Sequence, residues 1–175
     1  MRQILETDRL VIRELVSTDT ERMYQILSDP ITMQFWPEPF DRENAERWIR
    51  RSIDAYRELG FGRFAITLKS SGDLIGDCGF MRVEVNGVLE NDLGYIIDRQ
   101  YWGKGFATEA AGACLRYGID ILKMNRIVAS METKHFASKA VAEKIGFQFE
   151  REFINARNRN LPTVLLSIEP IPRDR

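Results

Sequence analysis

Hydrophobic spacing in the first third of the chain predicts a strand followed by two helices. Residues 9–14 contain a short apolar run of three residues bounded by charged ones, which predicts a strand. Apolar residues then recur at helical spacing over residues 23–27, behind a capping box predicted from Thr18 and Glu21. The same spacing predicts a second helix over residues 41–59. The segment between these helices is aromatic and interrupted by prolines, which predicts a loop.

The middle of the chain has the period of two that is expected of strands. Residues 64–68, 74–85 and 89–98 are predicted as three successive strands. Asn86 and Gly87, between the last two, form the strongest short hairpin signal in the sequence. The three strands are therefore predicted to form an antiparallel meander.

The second half returns to helical spacing and ends with a predicted hairpin. A helix stripe begins near Gly105, and its small side chains are expected to let the helix approach a sheet closely. A strand over 126–131, a helix over 138–145 and a hairpin of 147–154 with 163–168 complete the pattern. The sum is an α+β protein with a central mixed, largely antiparallel sheet of about six or seven strands, flanked by about four helices.

Composition narrows the class of protein. The 175 residues are 44% hydrophobic, which predicts one domain over residues 1–175. The chain has neither a long apolar run nor an apolar leader, so we expect a cytoplasmic protein without a membrane partner. The net charge of −1 gives no reason to expect a nucleic-acid partner. Two scattered cysteines, Cys78 and Cys114, and the single His135 make a metal site or a disulfide framework improbable.

The most informative segment is residues 100–110, with the sequence QYWGKGFATEA. It lies between a predicted strand and a predicted helix and contains Gly103 and Gly105. The first amides of a helix have no partners within the helix, and glycines let a ligand approach them closely. The segment therefore predicts a phosphate site made of main-chain amides, which needs no basic surface.

Two common phosphate-binding motifs do not fit this segment. A Walker A loop requires glycine at Asp98 and serine or threonine at Gly105. A dinucleotide fingerprint requires a third glycine at Thr108, within a repeating βαβ frame. An ordinary turn between a strand and a helix remains an alternative.

The spacing Gln100-x-x-Gly103-x-Gly105 resembles the acetyl-CoA signature of the GNAT family of N-acetyltransferases. Further blocks, in family order, are similar to its ribosomal-protein (RimJ/RimL-like) branch. These blocks are residues 7–13, 28–30, 93–95, 101–105, 107–110, Ser138 and 143–147. The resemblance implies a GNAT-type three-layer fold and an enzyme that moves the acetyl group of acetyl-CoA to a primary amine by direct transfer.

The resemblance also implies which residues meet the coenzyme. In the family, the strand matching residues 89–98 carries a bulge and diverges from its neighbour, which leaves main-chain groups for pantetheine and the thioester. Ile96 and Ile97 hold that position. The pyrophosphate is expected to lie among the residues that follow, mostly against their amides: Gln100, Trp102, Gly103, Lys104, Gly105, Phe106, Ala107 and Thr108.

Two catalytic residues follow from the resemblance, each with a plainer alternative. Asp92 stands where relatives place a Glu base, and it is expected to deprotonate the amine through a water; a solvated strand end is the alternative. Ser138 is expected to hydrogen-bond the coenzyme sulfur, although a serine at a helix start is first an N-cap. His135 replaces the family's usual Asn as a pantetheine contact, and Lys139 is expected near the 3′-phosphate; a tolerated polar residue and a surface lysine are the alternatives.

The sequence predicts the acceptor site in less detail than the coenzyme site. One wall of its groove is expected from the aromatic loop, extended by Phe61 and Phe64, and a second from Arg157 and Arg159, for which solvated turn charges are the alternative. Tyr95 is expected to line the same site, with a half-buried sheet tyrosine as the alternative. The loop residues concerned are Met33, Phe35, Trp36, Pro37, Pro39 and Phe40. A protein or peptide α-amine is the first expectation. A small amine (polyamine, amino acid or antibiotic), an acyl-CoA-binding module without turnover and a homodimer remain open.

Overall fold

The computed structural model describes residues 2–169, which form one eight-stranded sheet and four α-helices. The strands are β1 Gln3–Glu6, β2 Leu10–Glu14, β3 Arg63–Leu68, β4 Leu74–Val85, β5 Val88–Ile97, β6 Ile127–Glu132, β7 Gln148–Asn155 and β8 Leu161–Ile168. The helices are α1 Thr20–Leu27, α2 Arg42–Glu58, α3 Phe106–Asp120 and α4 Phe136–Lys144. No helix in this part of the chain has the length and apolar character needed to cross a membrane.

The sheet has the order β1-β2-β3-β4-β5-β6-β8-β7. Every neighbouring pair is antiparallel except β5 and β6, which are parallel. The predicted α+β class with a mixed sheet is therefore confirmed, with one strand more than expected. The additional strand is β1, whose four residues are too short to show a clear alternating pattern.

Two predicted helix starts are wrong, and the second one affects the site. Thr18 and Glu21 do not cap α1; the N-cap is Asp19, whose carboxylate accepts the Val16 amide at 2.9 Å. Helix α4 begins at Phe136, two residues before the predicted start, with His135 as N-cap. Ser138 therefore lies inside the first turn of α4 and is not its cap.

The sheet lies between two helical layers. Phe64 and Ile66 contribute to the hydrophobic cluster of α3, whereas Ala65 between them contributes to the cluster of α1 and α2. This alternation is what a strand buried on both faces requires. Helix α3 approaches the sheet so closely that a Cβ on Gly118 would lie 2.5 Å from the Phe80 ring, as its small side chains predict.

The parallel neighbours β5 and β6 separate after a single register pair, Asp92 with Val128. The expected divergence is therefore present, but the expected bulge is not, because β5 pairs with β4 residue for residue up to Ile97. A side chain takes part in the separation: the Ser130 amide donates to Asp92 Oδ1 at 3.0 Å instead of to the main chain of β5. The result is a gap in the sheet beside residues 93–97.

Candidate active site

At the end of β5, the glycine turn (residues 100–105) leads into α3. Gly103 and Gly105 have φ angles of 73° and 80°, a left-handed region that favours glycine. Gly105 is the N-cap of α3, and no side chain caps this helix among residues 2–169. No atom within that range lies within 4 Å of the position of a Cβ on Gly103. The first amides of α3 are therefore open to a ligand, as the sequence predicts.

A distant segment braces this turn. Arg9 donates from Nη1 to the Lys104 carbonyl at 2.9 Å and from Nε to Glu109 Oε2 at 2.7 Å. Thr7 donates its hydroxyl to Glu109 Oε1 at 2.6 Å. The turn between β1 and β2 thus holds the start of α3 from outside. The sequence predicts a strand over residues 9–14 and a family resemblance over residues 7–13, but neither predicts these contacts.

Ile96 and Ile97 face opposite directions at the gap. The Ile96 carbonyl points to β4, since a Cβ on Gly76 would lie 2.0 Å from its oxygen. The Ile97 carbonyl points away from β4 and accepts the Trp102 indole N–H at 2.7 Å. The carbonyl expected at Ile96 is therefore turned away from the gap, and strand alternation puts the main chain of Tyr95 there with that of Ile97.

The remaining residues expected near the coenzyme surround the same opening. Gln100 is exposed, and its carbonyl accepts Lys104 Nζ at 3.3 Å. Phe106, Ala107 and Thr108 form the first turn of α3. On α4, Lys139 Nζ lies 3.8 Å from a Glu143 carboxylate oxygen. The glycine turn and the start of α3 therefore lie at the carboxyl end of β5, whereas Lys139 lies on α4.

A cavity of about 250 Å³, the central cavity, is lined by residues 92–95 of β5. Side chains from β5, β6, α2, α4 and two loops surround it. Its lining includes Phe35, Trp36, Pro37, Trp48, Asp92, Tyr95, Ser130, His135, Ser138, Arg157 and Asn158. Both residues predicted to be catalytic, Asp92 and Ser138, therefore lie on one cavity.

Asp92 occupies the wall of the cavity at the point where β5 and β6 separate. Its Oδ1 accepts the Ser130 amide at 3.0 Å and the Ser130 hydroxyl at 3.2 Å. Burial raises the pKa of the Asp92 carboxyl to about 6, although the Ser130 amide and the Arg63 guanidinium act in the opposite direction. A carboxylate in this state is a stronger base than an exposed aspartate.

Ser138 and Tyr95 form a hydroxyl pair. The Ser138 hydroxyl donates to Tyr95 Oη at 3.1 Å, and Tyr95 donates to the Ser138 carbonyl at 2.7 Å. Burial raises the pKa of the Tyr95 phenol well above its ordinary value, so the group stays protonated near neutral pH. The structure thus adds Tyr95, which the sequence assigned only to the acceptor wall, as a partner of Ser138.

His135 joins the aromatic loop, here residues 31–40, to α4. Its ring stacks on Phe35 with 3.9 Å between centroids and 17° between planes. Burial lowers the pKa of the imidazole to about 4, so His135 is neutral at neutral pH. The Phe35 carbonyl also accepts Asn158 Nδ2 at 3.0 Å, from the loop between β7 and β8. The two walls expected around the acceptor therefore touch each other.

Asn158 leaves one polar atom unsatisfied on this cavity. Its Oδ1 is buried and has no hydrogen-bond partner within residues 2–169. A buried amide oxygen without a partner is costly, and a ligand N–H satisfies it well.

A buried ion pair between Arg63 and Asp77 lies beside the cavity. The side chains are 4% and 0% exposed, and Trp48 Nε1 donates to the second Asp77 oxygen at 2.6 Å. Gly94 makes room for the guanidinium, because a Cβ there would lie 2.1 Å from Arg63 Nη1. The glycine of the Leu-Gly-Tyr sequence is thus explained by close packing.

Several expected acceptor residues lie elsewhere. Phe61 and Phe64 are buried in the core cluster that includes α3 and do not line the cavity; β3 turns the Phe64 side chain to that face. Met33 is buried with α1 and α2. Arg157 lines the cavity and donates to the Glu84 carbonyl, whereas Arg159 is exposed outside it.

The two cysteines are both free, and both lie in the core. Cys78 and Cys114 belong to one hydrophobic cluster, and burial raises the pKa of the Cys78 thiol well above its ordinary value. Neither lines the central cavity. These thiols therefore pack as small apolar groups, as the sequence predicts.

Comparisons with known proteins agree with this geometry. The model of the acetyltransferase (GNAT) domain matches residues 9–148. The chain is 33% identical over 172 residues to the uncharacterized N-acetyltransferase p20 of Bacillus licheniformis, covering 95% of this chain and 96% of the relative. It is 26% identical over 158 residues to spermidine N(1)-acetyltransferase of Escherichia coli strain K12, covering 85% and 81%.

A solved structure has the same fold. The ribosomal alpha-N-protein acetyltransferase RimL in complex with coenzyme A superimposes with a TM-score of 0.80 at 17% identity, covering 96% of this chain and 98% of RimL. The predicted GNAT-type fold is confirmed. The open start of α3, the gap beside β5 and the matched domain agree: the chain belongs to the GNAT family of N-acetyltransferases and is an acetyl-transferring enzyme.

Proposed function

We propose that this enzyme transfers the acetyl group of acetyl-CoA directly to a primary amine, with a protein or peptide α-amine as acceptor, and that residues 1–175 are one N-acetyltransferase domain. The observation that carries the proposal is the gap beside residues 93–97. In this proposal the open start of α3, which follows the end of β5, is the coenzyme side of the gap, and the central cavity, lined by residues 92–95, is the acceptor side. Two substrates bound on these two sides meet at the gap, so no covalent enzyme intermediate is needed.

The fit of the coenzyme rests on the glycine turn. Anions bind well at helix starts, because the amides there point outward and the helix dipole is positive. The amides of residues 103–108 receive the pyrophosphate in this proposal, with Gln100, Trp102 and Lys104 around it. Lys139 lies toward the 3′-phosphate, and His135 toward pantetheine. The main-chain groups of Tyr95 and Ile97 lie on the gap side for pantetheine and the thioester carbonyl.

Asp92 acts as the general base in this proposal. An α-ammonium has a pKa of about 8, so a carboxylate of pKa about 6 removes its proton with a modest uphill step. The proton passes to Asp92 through a water. The free amine then attacks the thioester carbonyl carbon, the new C–N bond forms, and the C–S bond breaks.

Ser138 and Tyr95 serve the leaving thiolate. The Ser138 hydroxyl turns from Tyr95 Oη to the sulfur and donates a hydrogen bond there. The Tyr95 phenol, which lies 3.1 Å from that hydroxyl before it turns, stays protonated beside it, and the surplus proton of the attacking nitrogen passes to the sulfur to give the thiol of CoA. Both groups stay uncharged at neutral pH before the reaction, which suits donors to a developing anion.

The acceptor amine is expected between Asp92 and the unsatisfied Asn158 oxygen. An ammonium or amine donates several N–H bonds, and these two groups accept them. The aromatic loop covers the apolar part of the acceptor. The name of RimL, which acts on a protein α-amine, agrees with this choice.

A small amine is the second candidate. The similarity to spermidine N(1)-acetyltransferase favours it, because that relative acts on a polyamine. The carboxylate of Asp92 suits a polyamine nitrogen as well as an α-amine. The two candidates differ in the part of the acceptor beyond the reacting amine. A peptide continues with main chain and side chains, whereas a polyamine carries further amino groups.

Thiol release with a panel of acceptors tests the proposal. We expect acetyl-CoA to bind in the micromolar range, about −8 kcal/mol by calorimetry. We also expect release of free CoA with peptides that carry a free α-amine, and none with the same peptides blocked at the N-terminus. CoA binding without release under any amine acceptor would contradict the proposed reaction.

A further inference from the structure

A second cavity adjoins the central one. It has a volume of about 860 Å³ and lies between α2 and β4. The two cavities share four lining residues: Trp36, Trp48, Arg63 and Met81. An acceptor whose amine lies at Asp92 therefore reaches the second cavity by passing the Trp36 and Trp48 rings, whose centroids are 5.5 Å apart.

Arginine dominates the charge of this second cavity, which we call the basic groove. Arg47, Arg50 and Arg51 line it from α2, and Arg82 lines it from β4; its acids are Asp54 and Glu58. Two of the arginines have neighbours already. Arg47 pairs with Glu43, and Arg82 donates to Asn91 Oδ1 at 3.1 Å.

Besides Arg63, which pairs with Asp77, two further arginines of the groove are free to bind a ligand. Arg50 and Arg51 are exposed and form no ion pair within residues 2–169. Although the net charge of the chain is −1, two arginines without ion pairs therefore line the cavity that adjoins the proposed reaction centre. Guanidinium groups bind carboxylates through paired hydrogen bonds.

The dimensions suit an extended peptide. Arg47 to Arg51 span about 6 Å along α2, at roughly 1.5 Å per residue. Two residues of an extended chain cover about 7 Å. A peptide held by its α-amine at Asp92 that continues past the residues shared by the two cavities therefore presents its next side chains to the arginines of the groove.

We propose that the basic groove binds acidic side chains of the acceptor, so that the substrate class is a protein N-terminus followed closely by Asp or Glu. This inference rests on the proposed function and deepens it. A polyamine is disfavoured, because its second and third nitrogens would meet arginine instead of carboxylate. The charge acts mainly on acceptor binding and not on the chemical step.

A matched set of peptides tests the inference. Three peptides share one N-terminal residue and continue with three Glu, three Gln or three Lys. We expect kcat/KM to fall in that order, with a difference of roughly threefold to tenfold between the first two, as for exposed charge pairs. The difference should shrink as salt is raised to about 0.5 M, because screening weakens exposed pairs.

Reversing the charge of one groove arginine tests whether the peptide preference arises in the basic groove. We expect Arg51→Glu to lower kcat/KM for the Glu peptide and to raise it for the Lys peptide, which is the reciprocal change that a direct pairing requires. Lys123→Glu makes the same change in charge at an exposed site outside the groove and should leave the order of the three peptides unchanged.

The outcomes separate the two proposals. Equal use of the three peptides, equal effects of Arg51→Glu and Lys123→Glu, or a polyamine used better than any peptide would overturn the acidic-acceptor inference while leaving an amine acetyltransferase in place. No thiol release with any amine would overturn the proposed function, and the inference with it.

Discussion

The two sides of the gap between β5 and β6 are built from different atoms. On the coenzyme side the groups offered are mainly main-chain amides and carbonyls around the glycine turn and Ile97. On the acceptor side they are side chains from several elements, with Asp92 and Asn158 from opposite walls. Main-chain groups depend on how the chain turns, whereas side-chain groups depend on the identity of single residues.

This difference has a consequence for substitution. The coenzyme side should tolerate most side-chain changes and should respond strongly only where a glycine conformation or open space is lost. The acceptor side should respond to single atoms, since one carboxylate oxygen or one hydroxyl carries each proposed role. Three substitutions test the contrast, in order of decreasing expected effect.

Asp92→Asn should have the largest effect. Asparagine retains an oxygen that accepts the Ser130 amide, so β5 and β6 should stay apart as in the wild type. Its side chain cannot take a proton, so the proposed base is lost. We expect kcat at pH 7 to fall by about 10²-fold, with coenzyme affinity unchanged. The rise of activity through pH 6 should also disappear from the pH profile.

Asp73→Asn, in an exposed turn, is the matched control and should keep the wild-type pH profile of activity.

The pH dependence of stability tests the raised pKa of Asp92 independently of activity. The pKa of Asp92 is raised in the fold, so its contribution to stability is lost as pH rises through about 6. Asp92→Asn should therefore gain relative stability above pH 6 and lose that gain below about pH 4. An unchanged activity profile would exclude Asp92 as the base.

Gly105→Glu should come second. The residue has a φ of 80°, and a Cβ there lies 3.4 Å from Arg9 Nη2. The new carboxylate would compete with Glu109 for Arg9 and repel the pyrophosphate. We expect coenzyme affinity to fall roughly thirtyfold, about 2 kcal/mol, in calorimetry.

Gly87→Glu is the control for this change, since Gly87 has a φ of 83° and open space around it, in the turn before β5 at the end of that strand opposite the glycine turn. It should carry the same backbone strain and leave coenzyme affinity unchanged. Equal affinity for the coenzyme in Gly105→Glu and the wild type would rule out the glycine turn as the phosphate site.

Ser138→Ala should have the smallest effect, because Tyr95 remains within the same pair. We expect kcat to fall by about fivefold to tenfold, the size of one hydrogen bond, with coenzyme affinity unchanged. Tyr95→Phe should give a loss of similar size, and the double variant should lose less than the product of the two. A parallel loss of kcat and affinity would assign Ser138 to binding alone.

The contrast between main chain and side chains also explains what the sequence predicted. Helix α2 was predictable because Asp41 caps it and its apolar residues keep one helical face over seventeen residues. The glycine turn was predictable because its conformation depends on two neighbouring glycines, which the sequence shows directly. Strand β1 and the start of α4 were not, since four residues or a two-residue shift leave almost no periodic signal.

Contacts between distant residues escaped prediction for a different reason. The brace from Arg9 to Glu109 joins residues 100 positions apart, and the contact of Asp92 with Ser130 joins residues 38 apart. No local pattern encodes which charged residue meets which. The order of strands brings them together, and the basic groove on α2 likewise became visible only beside the folded cavity.

The contact of Asp92 with Ser130 also constrains anyone who would redesign this enzyme. One carboxylate both occupies the amide that would continue the sheet and faces the cavity where the acceptor is expected. Moving the base to another position would need a second group to take the Ser130 amide. Otherwise β6 is free to pair further along β5 and close the opening. In the proposed mechanism, one side chain therefore acts as the base and also keeps β5 and β6 apart.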